Sequence, residues 1–465
     1  MIAFDHVTYT YESREHPSLL DCSFTVEPGE LILLTGESGC GKTTIIKLTN
    51  GLLQHGGGGT LEGTVTVNGW NVSPIPLWEL AQTVGSVFQN PKSQFFNLDT
   101  TSEVLFGLES RGTSHQEMEQ ALFNAAKVCG IGPLLDRNIF ALSGGEKQRI
   151  ACASAYAMGP EIFVLDEPSS NLDSEGIRQL REILKQLKAA GKTVLVAEHR
   201  LWYAADLADR MFYLRAGRLE QVYPRAKFLA LPEEQRRAMG LRSLTEVPLP
   251  EPQSASGEPG DGLTVRGLRA SYDRTAVWEQ VSFSAPRGQI TAITGHNGAG
   301  KTTLARCLCG LMKEKSGSIL WDGKPLNRKG RRQKNFLIMQ DVNLQLFADS
   351  VLPEAQLGND ANEMEAMAAL ERMDLAQYAQ AHPLALSGGQ KQRLAIVDGC
   401  LSGKELLIFD EPTSGLDYVH MLEVSHLLRE LAERGLCVLV ITHDGEFLRE
   451  SGAQTVEWMP KEQFQ

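Results

Sequence analysis

Residues 36–44 read GESGCGKTT, and residues 295–303 read GHNGAGKTT. Both fit G-x4-G-K-[ST], and each follows a short apolar run, LILLTG in the first case and ITAITG in the second. Glycines at this spacing let the backbone close so that N–H groups point at a phosphate, and the helix that follows turns its positive end toward the same place. The candidate phosphate-binding residues are Gly36, Ser38, Gly39, Gly41, Lys42, Thr43 and Thr44, and in the second copy Gly295, Asn297, Gly298, Gly300, Lys301, Thr302 and Thr303. Such a lysine neutralises the β/γ-phosphate oxygens, and the hydroxyls of Thr43 and Thr302 are placed to bind Mg2+. Apolar strand-like runs that alternate with helical patterns imply an α/β fold with a largely parallel sheet.

The duplication extends far beyond these loops. ALSGGEKQR (141–149) returns as ALSGGQKQR (385–393), FVLDEPSSNLD (163–173) as LIFDEPTSGLD (407–417), and VLVAEHR (194–200) as VLVITHD (438–444). Asp166 follows Ser143 by 23 residues, as Asp410 follows Ser387, and His199 and His443 each lie 33 residues beyond those aspartates. Equal spacing with different intervening residues means two copies of one fold. The copies are joined near EVPLPEPQSASGEPGDG (246–262), whose Pro, Gly, Ser and acidic content suits a solvated linker. Before it, RAKFLALPEEQRRAMGLRSL reads as a short, charged helical appendage. The expected organisation is a first domain over 1–224, appendage and linker over 225–262, and a second domain over 263–465, each domain long enough for a sizeable core.

Composition narrows the class. With 42% hydrophobic and 22% charged residues, the chain is expected to be globular rather than disordered. Its 45 basic and 57 acidic residues give a net charge of −12, so no nucleic-acid partner is expected. No run reaches the ~18–20 apolar residues that cross a bilayer, and MIAFDHVTYTYESREH lacks the basic and apolar regions of a secretory leader. Eight cysteines without a CxxC pair read as reduced thiols of a cytosolic protein. Cys40 lies in the first phosphate loop, where a thiol pKa can fall, but a small residue tolerated in the loop is the simpler reading.

The remaining motifs carry chemistry. Asp166 and Asp410 end apolar runs and are placed to hold Mg2+. Glu167 and Glu411 follow at once, where a carboxylate can polarise an attacking water, an effect worth about 10²–10⁴ in rate. His199 and His443 share one offset and can donate to a γ-phosphate. Ser143-Gly144-Gly145 and Ser387-Gly388-Gly389 each precede a helix and offer a hydroxyl and bare N–H groups to a phosphate. Neither half has lost its Lys, Glu, Ser or His, so two sites hydrolysing ATP with Mg2+ are expected.

On these motifs both halves resemble nucleotide-binding domains of the ATP-binding cassette (ABC) family, over nearly the whole chain outside the linker. The resemblance implies in each half a RecA-like α/β core, an antiparallel β subdomain and a helical subdomain. It also implies head-to-tail pairing of the two halves within one chain. Lys42, Gln89, Asp166, Glu167 and His199 would then share a site with Ser387 and Gly389, and Lys301, Gln340, Asp410, Glu411 and His443 one with Ser143 and Gly145. Tyr11 and Tyr272 match the position that stacks on adenine, and Asp173 and Asp417 the loop that couples the sites. Gln89 and Gln340 match the glutamine that senses Mg2+ and the γ-phosphate, in a loop that also receives a helix of a transmembrane partner.

VFQNPKSQFF (87–96) further resembles the loop of energy-coupling factor (ECF) importers and cobalt or nickel uptake ATPases, as does SEVLFGLE (102–109). MQDVNLQLF (339–347) is a looser copy that keeps Gln345 in the register of Gln94. The docking candidates are Gln94, Phe95, Phe96, Gln345 and Phe347. Asp-Val in the second copy replaces Asn-Pro in the first, so the two grooves need not be equivalent. The resemblance implies an ATPase on the cytoplasmic face of the membrane, working with a transmembrane coupling protein and a small substrate-capture membrane protein. Its cargo would be a vitamin, a vitamin precursor or a metal ion. The alternatives are the fused ATPase of a sugar-type ABC importer and a soluble tandem ABC protein acting on ribosomes or DNA. The short, Pro-rich, acidic linker and the absence of iron–sulfur or zinc cysteine clusters weigh against the latter.

Overall fold

Leu31–Thr35 (LILLT), Ile162–Asp166 (IFVLD) and Thr193–Ala197 (TVLVA) are continuous apolar runs whose residues are all buried. A strand with that pattern must be covered on both faces, the usual condition of a parallel strand. In the computed structural model, which describes residues 1–12, 16–56, 58–252, 260–272 and 275–457, they form the middle of a six-stranded sheet. Its order is Arg218–Pro224, Arg210–Arg215, Leu31–Thr35, Thr193–Ala197, Ile162–Asp166, Val84–Val87. All neighbours are parallel except the edge hairpin of the first two.

Alternation along these strands divides the side chains between two cores. Leu31, Leu33, Phe163, Leu165, Val194 and Val196 face a core shared with the helices Thr100–Ser110, His115–Cys129 and Gly144–Ala157. Ile32, Leu34, Ile162, Val164, Leu195 and Ala197 face the other, shared with the helix Lys42–Thr49 and an antiparallel sheet. That sheet runs Leu19–Val26, Ile2–Tyr11, Gly59–Val67, Trp70–Asn71. Two short helices, Arg225–Leu229 and Glu233–Ala238, follow the edge hairpin; Phe228 of the first is buried in the helical core.

The chain divides into two units, Met1–Glu246 and Val247–Gln465. The second repeats the plan with a five-stranded, all-parallel sheet in the order Asn335–Ile338, Leu406–Asp410, Cys437–Ile441, Ile290–Thr294, Gln454–Glu457. Its antiparallel sheet runs Thr275–Pro286, Gly262–Tyr272, Ser316–Trp321, Lys324–Pro325. Its helical subdomain is smaller: Val351–Ala355 and Glu363–Arg372 have 5 and 10 residues where Thr100–Ser110 and His115–Cys129 have 11 and 15. Each unit thus has the α/β core, antiparallel β subdomain and helical subdomain expected of it. Linker residues 253–259 lie outside the described residues, as does the side chain of Tyr272.

Leu195 is fully buried between the parallel sheet and the phosphate-loop helix. Leu195→Ala is expected to destabilise the first unit by about 2–5 kcal/mol through the cavity it leaves. Hydrogen exchange should then rise in strands 31–35 and 162–166 and stay unchanged in 290–294.

Candidate nucleotide-binding sites

Adjacent parallel strands end on one edge of the first sheet. Leu31–Thr35 leads into Gly36, Ile162–Asp166 into Glu167, Thr193–Ala197 toward His199, and Val84–Val87 toward Gln89. Ligands of open α/β sheets bind outside the carboxyl ends of strands, and residues distant in sequence meet there.

The phosphate loop needs its glycines. Gly36 has φ 142, and a Cβ there would stand 2.1 Å from the carbonyl oxygen of Leu214. Gly41, at φ 106, caps the helix Lys42–Thr49, and a Cβ would stand 2.7 Å from the carbonyl oxygen of Ser18. No side chain caps this helix, nor the helix Lys301–Leu308 that follows Gly300, so their leading N–H groups are left for an anion. Lys42 Nζ donates to the carbonyls of Gly36 and Glu37, both at 3.0 Å. Lys301 Nζ donates to those of Gly295 and His296, at 2.6 and 2.9 Å. Tyr11 stands at the start of the first helix, its hydroxyl 3.2 Å from Thr44 Oγ1 and its ring edge-on to Tyr9. Cys40 is buried in the core beneath the loop.

Thr43 Oγ1 donates to Asp166 Oδ1 at 3.0 Å, and Thr302 Oγ1 to Asp410 Oδ2 at 2.8 Å. Burial, and then the neighbouring Glu167, push the Asp166 carboxyl up to about 7 against the pull of the Thr43 hydroxyl and nearby lysines. Burial pushes Asp410 up to about 6, with the Thr302 hydroxyl opposing. A carboxylate so placed is stabilised by a cation beside it. One carboxylate and one hydroxyl fit Mg2+, which takes few protein oxygens and completes its shell with water and phosphate. Among the described residues no group of three or more His, Cys, Asp or Glu side chains could hold a metal ion. A cation here would therefore depend on its nucleotide.

Glu167 and Glu411 adopt left-handed backbone, φ 43 and 52, and their N–H groups donate to the carbonyls of Ala197 and Ile441, both at 2.8 Å. Strain of this kind costs about 1–3 kcal/mol and persists where surroundings over-determine it. Gln89 Nε2 donates to Glu167 Oε2 at 2.7 Å, and His199 Nε2 lies 3.4 Å from Oε1. In the second unit His443 Nδ1 lies 2.8 Å from Glu411 Oε1, and Thr442 Oγ1 donates to Oε2 at 3.1 Å; Gln340 is exposed. The two glutamates are thus held differently.

Ser143 and Ser387 cap their own helices, accepting from the N–H groups of Glu146 and Gln390, whose side chains return the bond in closed capping boxes. Their hydroxyl protons stay available. Asp173 caps the helix Ser174–Ala189, and Asp417 caps Tyr418–Glu433 while meeting His420 Nδ1 at 2.8 Å.

The docking candidates separate by exposure. Phe96 and Phe347 are 75% and 74% exposed, and Phe96 stacks on Phe106 at 5.1 Å. Phe95 packs against the unit's core. Gln94 and Gln345 face inward: each accepts from a backbone N–H of its own loop, Phe88 at 3.1 Å and Met339 at 2.6 Å. Two residues that sequence reasoning did not single out hold these loops. Buried Glu103 accepts from the N–H groups of Phe96 and Asn97 at 2.9 and 2.7 Å. Buried Glu354 accepts from those of Phe347 and Ala348 at 2.7 and 2.5 Å. The signal was present, since each lies seven residues after the exposed phenylalanine of its own half.

The ABC transporter family matches residues 19–170 and 278–414. A Treponema denticola protein named as an ABC transporter ATP-binding protein is 45% identical over 456 residues, covering 97% of this chain and 93% of that protein. A Methanosarcina acetivorans protein of the same name is 34% identical, covering 98% and 84%. Among solved structures, a chain of the ribosome-bound archaeal Pelota and ABCE1 assembly matches with TM-score 0.67 and 21% identity, over 97% of this chain and 75% of that one. The cbiO1 structure of Clostridium perfringens, part of the ABC transporter complex cbiONQ, matches with TM-score 0.46 and 25% identity, over 50% of this chain and 91% of that one. The protein belongs to the ABC transporter family. It is an ATP-binding ATPase subunit with two tandem nucleotide-binding domains. No helix among the described residues is long and apolar enough to cross a membrane.

Glu103→Ala should release the amides of Phe96 and Asn97. Their hydrogen-exchange protection is expected to fall about tenfold or more, since bonds to a charged acceptor are the stronger kind; unchanged protection would show that the loop is held by other means.

Proposed function

We propose that the chain powers a membrane importer of the ECF type, supplying ATP hydrolysis to a transmembrane coupling protein and a small substrate-capture membrane protein. The observation that carries this reading is an exposed aromatic, Phe96 or Phe347, set in each unit seven residues beyond Gln89 or Gln340, the glutamine that the ABC resemblance assigns to the ATP site. A loop of that kind ties a surface to a catalytic centre. The cargo class is a vitamin, a vitamin precursor or a metal ion, and the place of work is the cytoplasmic face of the membrane.

In this reading the loop N–H groups with Lys42 and Lys301 hold the β/γ-phosphates. Tyr11 and Tyr272 stack on adenine. Thr43 with Asp166, and Thr302 with Asp410, would hold Mg2+, which would offset charge on the phosphate oxygens; Gln89 and Gln340 would sense the ion and the γ-phosphate. Glu167 and Glu411 orient the attacking water and take its proton at a carboxylate oxygen, while His199 and His443 donate to the γ-phosphate. Ser143, Gly144 and Gly145 complete the site on Lys301, and Ser387, Gly388 and Gly389 the site on Lys42, when the halves pair head to tail. Asp173 and Asp417 couple the two.

Glu167→Gln and Glu411→Gln are each expected to cut turnover about tenfold or more, and together to abolish it; wild-type turnover in one single variant with none in the other would refute two working sites. Purified from membranes, the chain should bring down a multi-spanning protein and a small membrane protein. Phe96→Ala with Phe347→Ala should weaken that assembly about tenfold or more, and weaken it far more than they slow hydrolysis by the isolated chain. Recovery instead with ribosomes, DNA or a sugar permease would overturn the ECF reading and leave the ATPase intact.

A further inference from the structure

Between the last sheet residue and the histidine, the two units carry different side chains at one position. In the second unit it is Thr442, fully buried. Asp444 N donates into Thr442 Oγ1 at 3.2 Å, and the hydroxyl proton goes to Glu411 Oε2 at 3.1 Å. A carboxylate only accepts, so this contact makes the hydroxyl the donor, while the Asp444 N–H takes one of its lone pairs. His443 Nδ1 sits on the other oxygen at 2.8 Å.

The first unit has Glu198 at this position, equally buried. Its Oε1 accepts from the N–H groups of His199 and Arg200, at 2.8 and 3.1 Å; its Oε2 accepts from Tyr203 Oη at 2.7 Å and Ser169 N at 3.3 Å. The surroundings have changed together. Tyr203 corresponds to Phe447, which carries no hydroxyl, and Arg200 to Asp444, which accepts from Thr413 Oγ1 at 2.9 Å. An acid has moved two residues along the chain, and each arrangement satisfies its own buried carboxylate. A carboxylate at 198 has no proton to give Glu167, whose 2.7 Å bond comes from Gln89 in the loop that carries Phe96.

We infer that Thr442 is a positioning residue for Glu411, and that the two ATP sites are prepared by different means: by a fixed hydroxyl in the second unit, and by the glutamine of the aromatic loop in the first. This rests on Glu411 being the residue that orients the attacking water. Hydrolysis at the first unit then answers to what engages its loop, while the second keeps its glutamate set regardless.

The test uses the full chain carrying Glu167→Gln, so that turnover reports the Glu411 site. Adding Thr442→Val, which keeps shape and removes the hydroxyl, should lower kcat about tenfold with KM for ATP within about twofold, and Thr442→Ser should restore most of it. If Thr442→Val does not fold, Thr442→Ala against Thr442→Ser reads the same hydroxyl. Equal kcat with and without the hydroxyl overturns the inference, and so does a loss seen only in KM. Adding Glu411→Gln to the same background separates the two ideas: if turnover survives that change, the underlying reading of Glu411 fails first.

Discussion

The register between two neighbouring strands governs each site. Asp166 pairs with Ala197 and Asp410 with Ile441, and the next N–H along, that of Glu167 or Glu411, closes one more bond to the same neighbour. Side chains alternate along a strand, so a slip of one residue would turn Asp166 toward the helical core and bring an apolar residue beside Thr43. The slip is prevented because both faces of these strands are buried in different cores, and every residue has a side to which it belongs. From this register follow the hydroxyl–carboxylate contact, the strained glutamate and the placement of the histidine two residues past the adjoining strand.

Inside that frame the sites hold tension that a nucleotide would relieve. Burial pushes the carboxyls of Asp166 and Asp410 up, each beside a further carboxylate, and two helices open with uncapped N–H groups. In the proposed reading a nucleotide and its cation would bring negative charge to the N–H groups and positive charge to the aspartates.

Much of this was legible in the letters. Continuous apolar runs announced the parallel strands, and matched spacings announced the glutamates, histidines and serines. What was not legible had a physical reason. Glu103 and Glu354 stand in helical segments where an acid reads as a solvated face, and only the fold brings them under a loop. Phe95 and Phe96 are chemically identical neighbours, and alternation alone sends one against the core and one outward. Gln94 and Gln345 read as surface polar groups, yet they serve the backbone of their own loops. The difference between Glu198 and Thr442 was visible as AEHR against ITHD, but its meaning lies in who donates to whom. The shortened helices of the second unit did leave a trace in the letters, since Gln340 precedes Ser387 by 47 residues where Gln89 precedes Ser143 by 54.

The two aromatic loops share a hidden frame, an inward glutamine and a buried glutamate gripping backbone amides, while their exposed turn residues differ, Asn90 ahead of buried Pro91 in one and Asp341 ahead of buried Val342 in the other. A protein made of two identical copies would oblige whatever it meets to offer the same contact twice. With both copies on one chain, each outer face is free to drift apart while the frame behind it stays constant. If these loops are where a partner docks, as proposed, two unlike handholds would stand on one engine, and a partner that takes hold in only one orientation would become available to selection.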